Sequence, residues 1–150
     1  MPSIIKALGY LGLVPFIYLA IVTWLPAVNV FSLNAAVVFR FYSAVILSFM
    51  AGALWPLAFL KVSPEKAGAA VSVNPRIAFT AIGFSLLAWG AILMGMKAAL
   101  FVLGVAFIAL WKTEENIGVN GYYPQWYQWL RAQLTVTVAV CHIVVWLAVE

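Results

Sequence analysis

Five long apolar runs, separated by short polar segments, constrain this chain more than any other feature. They cover about Ile4 to Val28, Ala35 to Leu60, Ile77 to Met94, Ala98 to Trp111 and Trp129 to Val149. Between them they hold only three charged side chains, Lys6, Arg40 and Arg131. A helix of about 20 apolar residues crosses the roughly 30 Å hydrocarbon layer of a bilayer. Five crossings consume most of 150 residues and leave no room for a separate soluble domain. The chain is 67% hydrophobic and 8% charged, where a soluble domain is about 45–50% apolar and about 25% charged. A water-soluble globule, a disordered chain and a disulfide scaffold are excluded. The expected architecture is a single-domain, all-α integral membrane bundle of five transmembrane helices over residues 1–150.

The first run reads as a retained helix. It has one lone lysine, is too long for a signal-peptide core, and no small-residue cleavage pattern closes it. Pro15 should kink this helix and Pro26 should end it, with Asn29 to Asn34 as a short turn. Lys61 to Arg76 is the clearest loop, rich in Ser, Pro, Gly and Asn. Gly95, Met96 and Lys97 make a tight turn. Lys112 to Gln128 is a polar, aromatic connection. The fourth run is short, so its helix either tilts little or extends beyond the run at both ends, and the chain carries no internal repeat and no low-complexity tract.

Five crossings put the two ends on opposite sides. Lys6, Lys61, Lys66, Arg76, Lys112 and Arg131 fall on the side of the N-terminus, and Lys97 and Arg40 on the other. Basic residues collect on the inner side, so the N-terminus is expected inside and the C-terminus outside. Trp111, Tyr122, Tyr123, Trp126, Tyr127 and Trp129 would form the inner aromatic belt, and Trp24 and Trp146 part of the outer one. The net charge of +4 is scattered, not gathered into the stripe that nucleic acid requires. Membrane lipids and other membrane subunits, or further copies of the chain, are the expected partners.

Several side chains could carry more than packing. Arg40 lies about five residues into the second run. It either snorkels to the outer surface, pairs with Glu150 at the end of the fifth run, or binds a lipid phosphate or other anion. Ala44, Ser48 and Gly52 form a small-residue ladder at spacing four, with Trp55 on the same side. Such ladders let helices approach closely, within one chain or with a partner. Trp126 and Tyr127 look like an interfacial anchor beside Arg131, which would reach lipid phosphates. Glu114 and Glu115 read as part of a solvated cap. His142, the single histidine, sits near mid-depth as a hydrogen-bonded packing residue, with a proton relay or quinone contact as the alternative. One histidine cannot build a bis-histidine haem or a histidine-rich metal site. The lone Cys141 allows no internal disulfide. No phosphate loop, nucleophile elbow or zinc motif is present. No metal or cofactor is expected.

Two stretches resemble a known pattern. Tyr42, Ala44, Ile46, Ser48, Phe49, Gly52 and Trp55 make the first, and Pro124, Trp126, Tyr127, Leu130, Arg131, Leu134 and Thr135 the second. Together with the five-span layout they resemble the bacterial membrane family of unknown function that includes eukaryotic transmembrane protein 69. Leu54 and Pro56 depart from that family's pattern, which has a histidine before the tryptophan and a glycine after it. The resemblance implies the membrane fold and no activity. The absence of catalytic motifs and the small-residue ladder point to a non-catalytic subunit that stabilises or assembles a larger membrane complex, such as a respiratory one. The alternative is a lipid- or quinone-binding membrane carrier. A small lipid enzyme using Glu114, Glu115 or His142 is a third reading. The bacterial inner membrane is the expected location, with the mitochondrial inner membrane second.

Overall fold

The computed structural model describes residues 2–25, 29–30, 32–59 and 74–149. Helix α1 spans Pro2–Val22. A two-residue antiparallel pair, β1 (Asn29–Val30) and β2 (Leu33–Asn34), turns the chain into α2 (Ala35–Gly52). A short α3 (Trp55–Ala58) follows, then α4 (Pro75–Ile92), α5 (Met96–Asn116), a 3-10 turn at Val119–Tyr122, and α6 (Gln125–Ala148). Counting α2 and α3 as one span, five helical segments are long and apolar enough to cross a membrane.

Local chemistry sets the boundaries. The Asn34 side chain accepts from the Ala36 N–H at 2.8 Å and caps α2, and Asn74 does the same for α4 through Arg76 at 3.1 Å. Pro75 then occupies the first turn of α4, where a missing donor costs nothing. Pro56 has no N–H for the Gly52 carbonyl, and there the second span breaks and restarts. Gly118 closes α5 with φ +77°, a left-handed conformation that favours glycine. Pro15 lies inside α1 without ending it.

The spans differ from expectation at their ends. Helix α1 stops at Val22, short of Val28. The fourth span is not short: α5 runs from Met96 to Asn116. Helix α6 begins at Gln125 rather than Trp129. Polar residues at a membrane surface propagate a helix as readily as apolar ones, so the end of an apolar run is not the end of a helix. Pro26, and all but the last three residues of the loop expected at 61–76, lie outside the described residues.

Helix α2 packs most extensively on α4, and α5 on α6, while α1 lies against α6 and α2. The buried face of α5 carries Leu100, Leu103, Phe107 and Leu110, and that of α6 carries Thr135, Val138, His142 and Val145. Outward faces are equally apolar. Phe79 is 73% exposed, and Phe49, Leu93 and Trp129 are similarly open. Lipid tails solvate such surfaces without the penalty water would impose.

Candidate functional site

The buried stripes of α5 and α6 both end on a charge. Spaced by three and four residues, Leu100, Leu103, Phe107 and Leu110 lead to Glu114, and Val145, His142, Val138 and Thr135 lead to Arg131. The guanidinium meets the carboxylate in a fork. Arg131 Nε donates to Glu114 Oε2 at 3.1 Å, and Nη2 donates to Oε1. The remaining nitrogen, Nη1, lies 3.1 Å from Met50 Sδ on α2. Glu114 is 1% exposed and Arg131 5%. A carboxylate near a helix C-terminus opposes the helix dipole, and an unpaired buried charge is costly. The fork answers both.

The turn between α5 and α6 covers this pair. Gln128 Nε2 donates to the carbonyls of Asn120 at 2.9 Å and Tyr123 at 3.1 Å, holding the turn on the start of α6. Burial pushes the Tyr123 phenol up to about 12, and the nearby Glu114 carboxylate adds to the shift. Glu115 faces outward and pairs with Lys112 at 2.8 Å on the surface. Adjacent helical residues point about 100° apart, so the two glutamates take opposite environments.

Above the ion pair lies an apolar groove of about 350 Å³ between α1, α2, α5 and α6. Its walls include Gly9, Gly12 and Phe16 of α1, Met50 of α2, Phe107 of α5 and Thr135 of α6. Glycines on α1 leave much of the space. A side chain at Gly9 would press on Leu130 at 3.3 Å, but a Cβ on Gly12 would meet nothing within 4 Å. The Gly12 carbonyl accepts from Tyr42 Oη at 2.9 Å, which ties α1 to α2 beside the groove.

Thr135 is the one polar side chain of the groove wall that is fully buried. Its hydroxyl has no hydrogen-bond partner among the described residues. Every other threonine donates to the carbonyl four residues back, at 2.7 to 2.9 Å: Thr23, Thr80, Thr113 and Thr137. That back-bond is the ordinary refuge of a helical threonine in an apolar medium. A buried hydroxyl left without a partner costs about 1–3 kcal/mol.

His142 stands behind Phe16 and Phe107, at the end of the groove away from the ion pair. Its Nδ1 donates to the Val138 carbonyl at 2.8 Å, and Nε2 is buried without a partner among the described residues. Phe39, Phe107 and Phe16 surround the ring at 4.9, 5.6 and 6.1 Å. Gly104 makes room for it, since a Cβ there would lie 3.0 Å from His142 Cβ. Among the described residues no three His, Cys, Asp or Glu side chains gather as a metal site would require.

The other singled-out residues fall into separate places. Arg40 Nη1 donates to the Met94 carbonyl at 3.2 Å, and its guanidinium lies 5.4 Å from the Phe41 ring. Its suggested partner, Glu150, lies outside the described residues. Ala44 is buried, and Ser48 and Gly52 are half-buried. The Ser48 carbonyl accepts a long 3.5 Å bond from Ser85 of α4, while a Cβ on Gly52 would meet nothing within 4 Å. Trp55 is exposed and stacks on Phe59. Lys6 sits 5.6 Å over the ring of Trp126 at the rim, and Tyr127 lines the groove.

Two expectations require correction. Arg131 does not reach outward to phosphates, and Glu114 is not in a solvated cap. They consume each other's charge inside the bundle. The signal that finds them is the three–four spacing, carried one turn beyond each apolar run.

The chain matches, over residues 1–147, the family described as protein of unknown function DUF3429, and it belongs to that family. No curated protein and no solved structure matches it.

Proposed function

We propose, from membership of that uncharacterised family as the premise, that the chain binds a membrane amphiphile, a lipid or a quinone, in the groove between α1, α2, α5 and α6. One observation carries this reading: a groove of about 350 Å³ bordered by a buried threonine whose hydroxyl has no protein partner. Ligand pockets are typically apolar cavities of about 300–1,000 Å³ with few polar groups. Gly12 gives a direct test, because a side chain there grows into open space. Lipids co-purifying with the gently extracted protein should include one species near 1:1 in the wild type. That species should be lost from Gly12→Phe. Identical lipid content in both proteins would refute the groove as a binding site.

A second reading, the accessory subunit of a larger complex, is supported by one outward-facing polar pair. Tyr10 Oη donates to Gln133 Oε1 at 2.7 Å on an exposed face of α1 and α6. The Gln133 amino group then faces hydrocarbon, where lipid offers it no acceptor and a neighbouring helix does. Native mass spectrometry should show a stoichiometric companion lost from Gln133→Leu. A lone chain from native membranes would count against this reading.

The same proposal includes an N-terminus inside and a C-terminus outside, supported by the bias of Lys and Arg. It includes residence in a bacterial inner membrane, with the mitochondrial inner membrane second, and kinship with eukaryotic transmembrane protein 69.

A further inference from the structure

Depth separates the two classes of amphiphile that the groove could take. Helix α6 has 24 residues, about 36 Å at 1.5 Å per residue. Thr135 lies ten residues past Gln125, about 15 Å along that axis. A hydrocarbon layer of about 30 Å centred on α6 therefore puts Thr135 near the bilayer midplane. A phospholipid keeps its phosphate and ester oxygens near the surface, and offers only hydrocarbon at that depth. A hydrogen-bond acceptor near the midplane belongs to a molecule whose head enters the core.

The charges agree with a neutral head. Arg131 stands behind Met50 at the inner end of the groove, but Glu114 takes its charge. Lys6 is exposed at the rim, over Trp126. No unpaired cation lines the groove among the described residues. The walls favour a flat, elongated ligand. Phe16 and Phe107 meet edge to face at 6.0 Å beside Thr135, and Phe49 and Tyr127 complete the aromatic lining. Along α1 the groove runs from Ile5 to Phe16, about 16 Å of helix.

Resting on the groove reading above, we propose that the occupant is of the quinone class: a neutral, flat ring with carbonyl oxygens on an apolar tail, its carbonyl accepting from the Thr135 hydroxyl. Rotation by about 120° around χ1 carries the hydroxyl of a threonine into the place its methyl held. The side chain thus presents either a donor or an apolar surface to the groove. Only binding is assigned; no electron transfer is involved.

The test uses the whole chain in lipid nanodiscs, with a decyl-substituted benzoquinone as probe and phosphatidylglycerol as competitor. Native mass spectrometry counts bound probe, and thermal unfolding reads its effect. Wild type should bind the quinone saturably at 1:1, with a raised Tm. Thr135→Val should weaken binding at least tenfold, while its own Tm without quinone equals or exceeds that of wild type. Thr135→Ser should retain binding, and Gly12→Phe should abolish it. Thr135→Val binding as wild type would overturn the quinone assignment. So would saturable uptake of phosphatidylglycerol, and not quinone, that Gly12→Phe blocks; that result would leave the groove reading standing. Failure of both probes in wild type would overturn the two together.

Discussion

Arg131 and Glu114 meet because neither can be buried alone. Removing one partner strands the other, at about 3–5 kcal/mol. Arg131→Met should therefore be strongly destabilising in thermal or denaturant unfolding. The double variant Arg131→Met with Glu114→Leu should recover most of that loss, because a packed apolar pair is close to neutral by comparison. A double variant no better than the single would contradict the pairing. Thr135→Val is the opposite case. Exchanging an unpartnered hydroxyl for a methyl of similar shape should raise ligand-free stability by about 1 kcal/mol. A drop of that size would mean that the hydroxyl has a partner. Tyr123 reports on the same end of the bundle. Its phenol, raised from about 10 to about 12, stays protonated in the folded chain where the unfolded chain has lost the proton. Stability should then fall as pH rises through that window, because the folded state binds more protons. Absorbance titration should show a tyrosinate step near pH 12 that disappears in Tyr123→Phe.

At the scale of elements, α5 and α6 approach through Gly104 and His142. A Cβ 3.0 Å from His142 Cβ requires that neighbour to give by a few tenths of an ångström. Gly104→Ala should cost about 1–3 kcal/mol despite the better helix propensity of alanine, measured as a shift in unfolding midpoint. An unchanged or higher midpoint would show that the contact yields. The spans themselves are legible in the sequence because charge is so sparse: Ile77 to Met94 has no charged residue at all. Their ends are not legible from hydropathy. Helix α5 continues through Lys112, Thr113, Glu114 and Glu115, four polar residues that suit a helix at a membrane surface. The ion pair was within reach of the sequence, since Glu114 and Arg131 keep the period of their apolar stripes. The break before Trp55 was marked by Pro56. The groove was not legible. It arises where glycines on α1 fail to fill space between four helices, and no local pattern encodes such a void.

For the whole molecule, the groove is the feature that joins fold to proposed function. It lies above a neutralised ion pair, is bordered by Met50, and stops at the phenylalanines that enclose His142. Under the proposed function, a ligand would enter from the lateral lipid between α1 and its neighbours without crossing water. The most direct test is a crystal structure grown in a lipid mesophase from protein that has kept its native lipids. The expected result is elongated density along α1 from Ile5 to Phe16, touching Gly12 and Thr135. The contradicting result is a groove without ligand density, its space filled by the protein's own side chains.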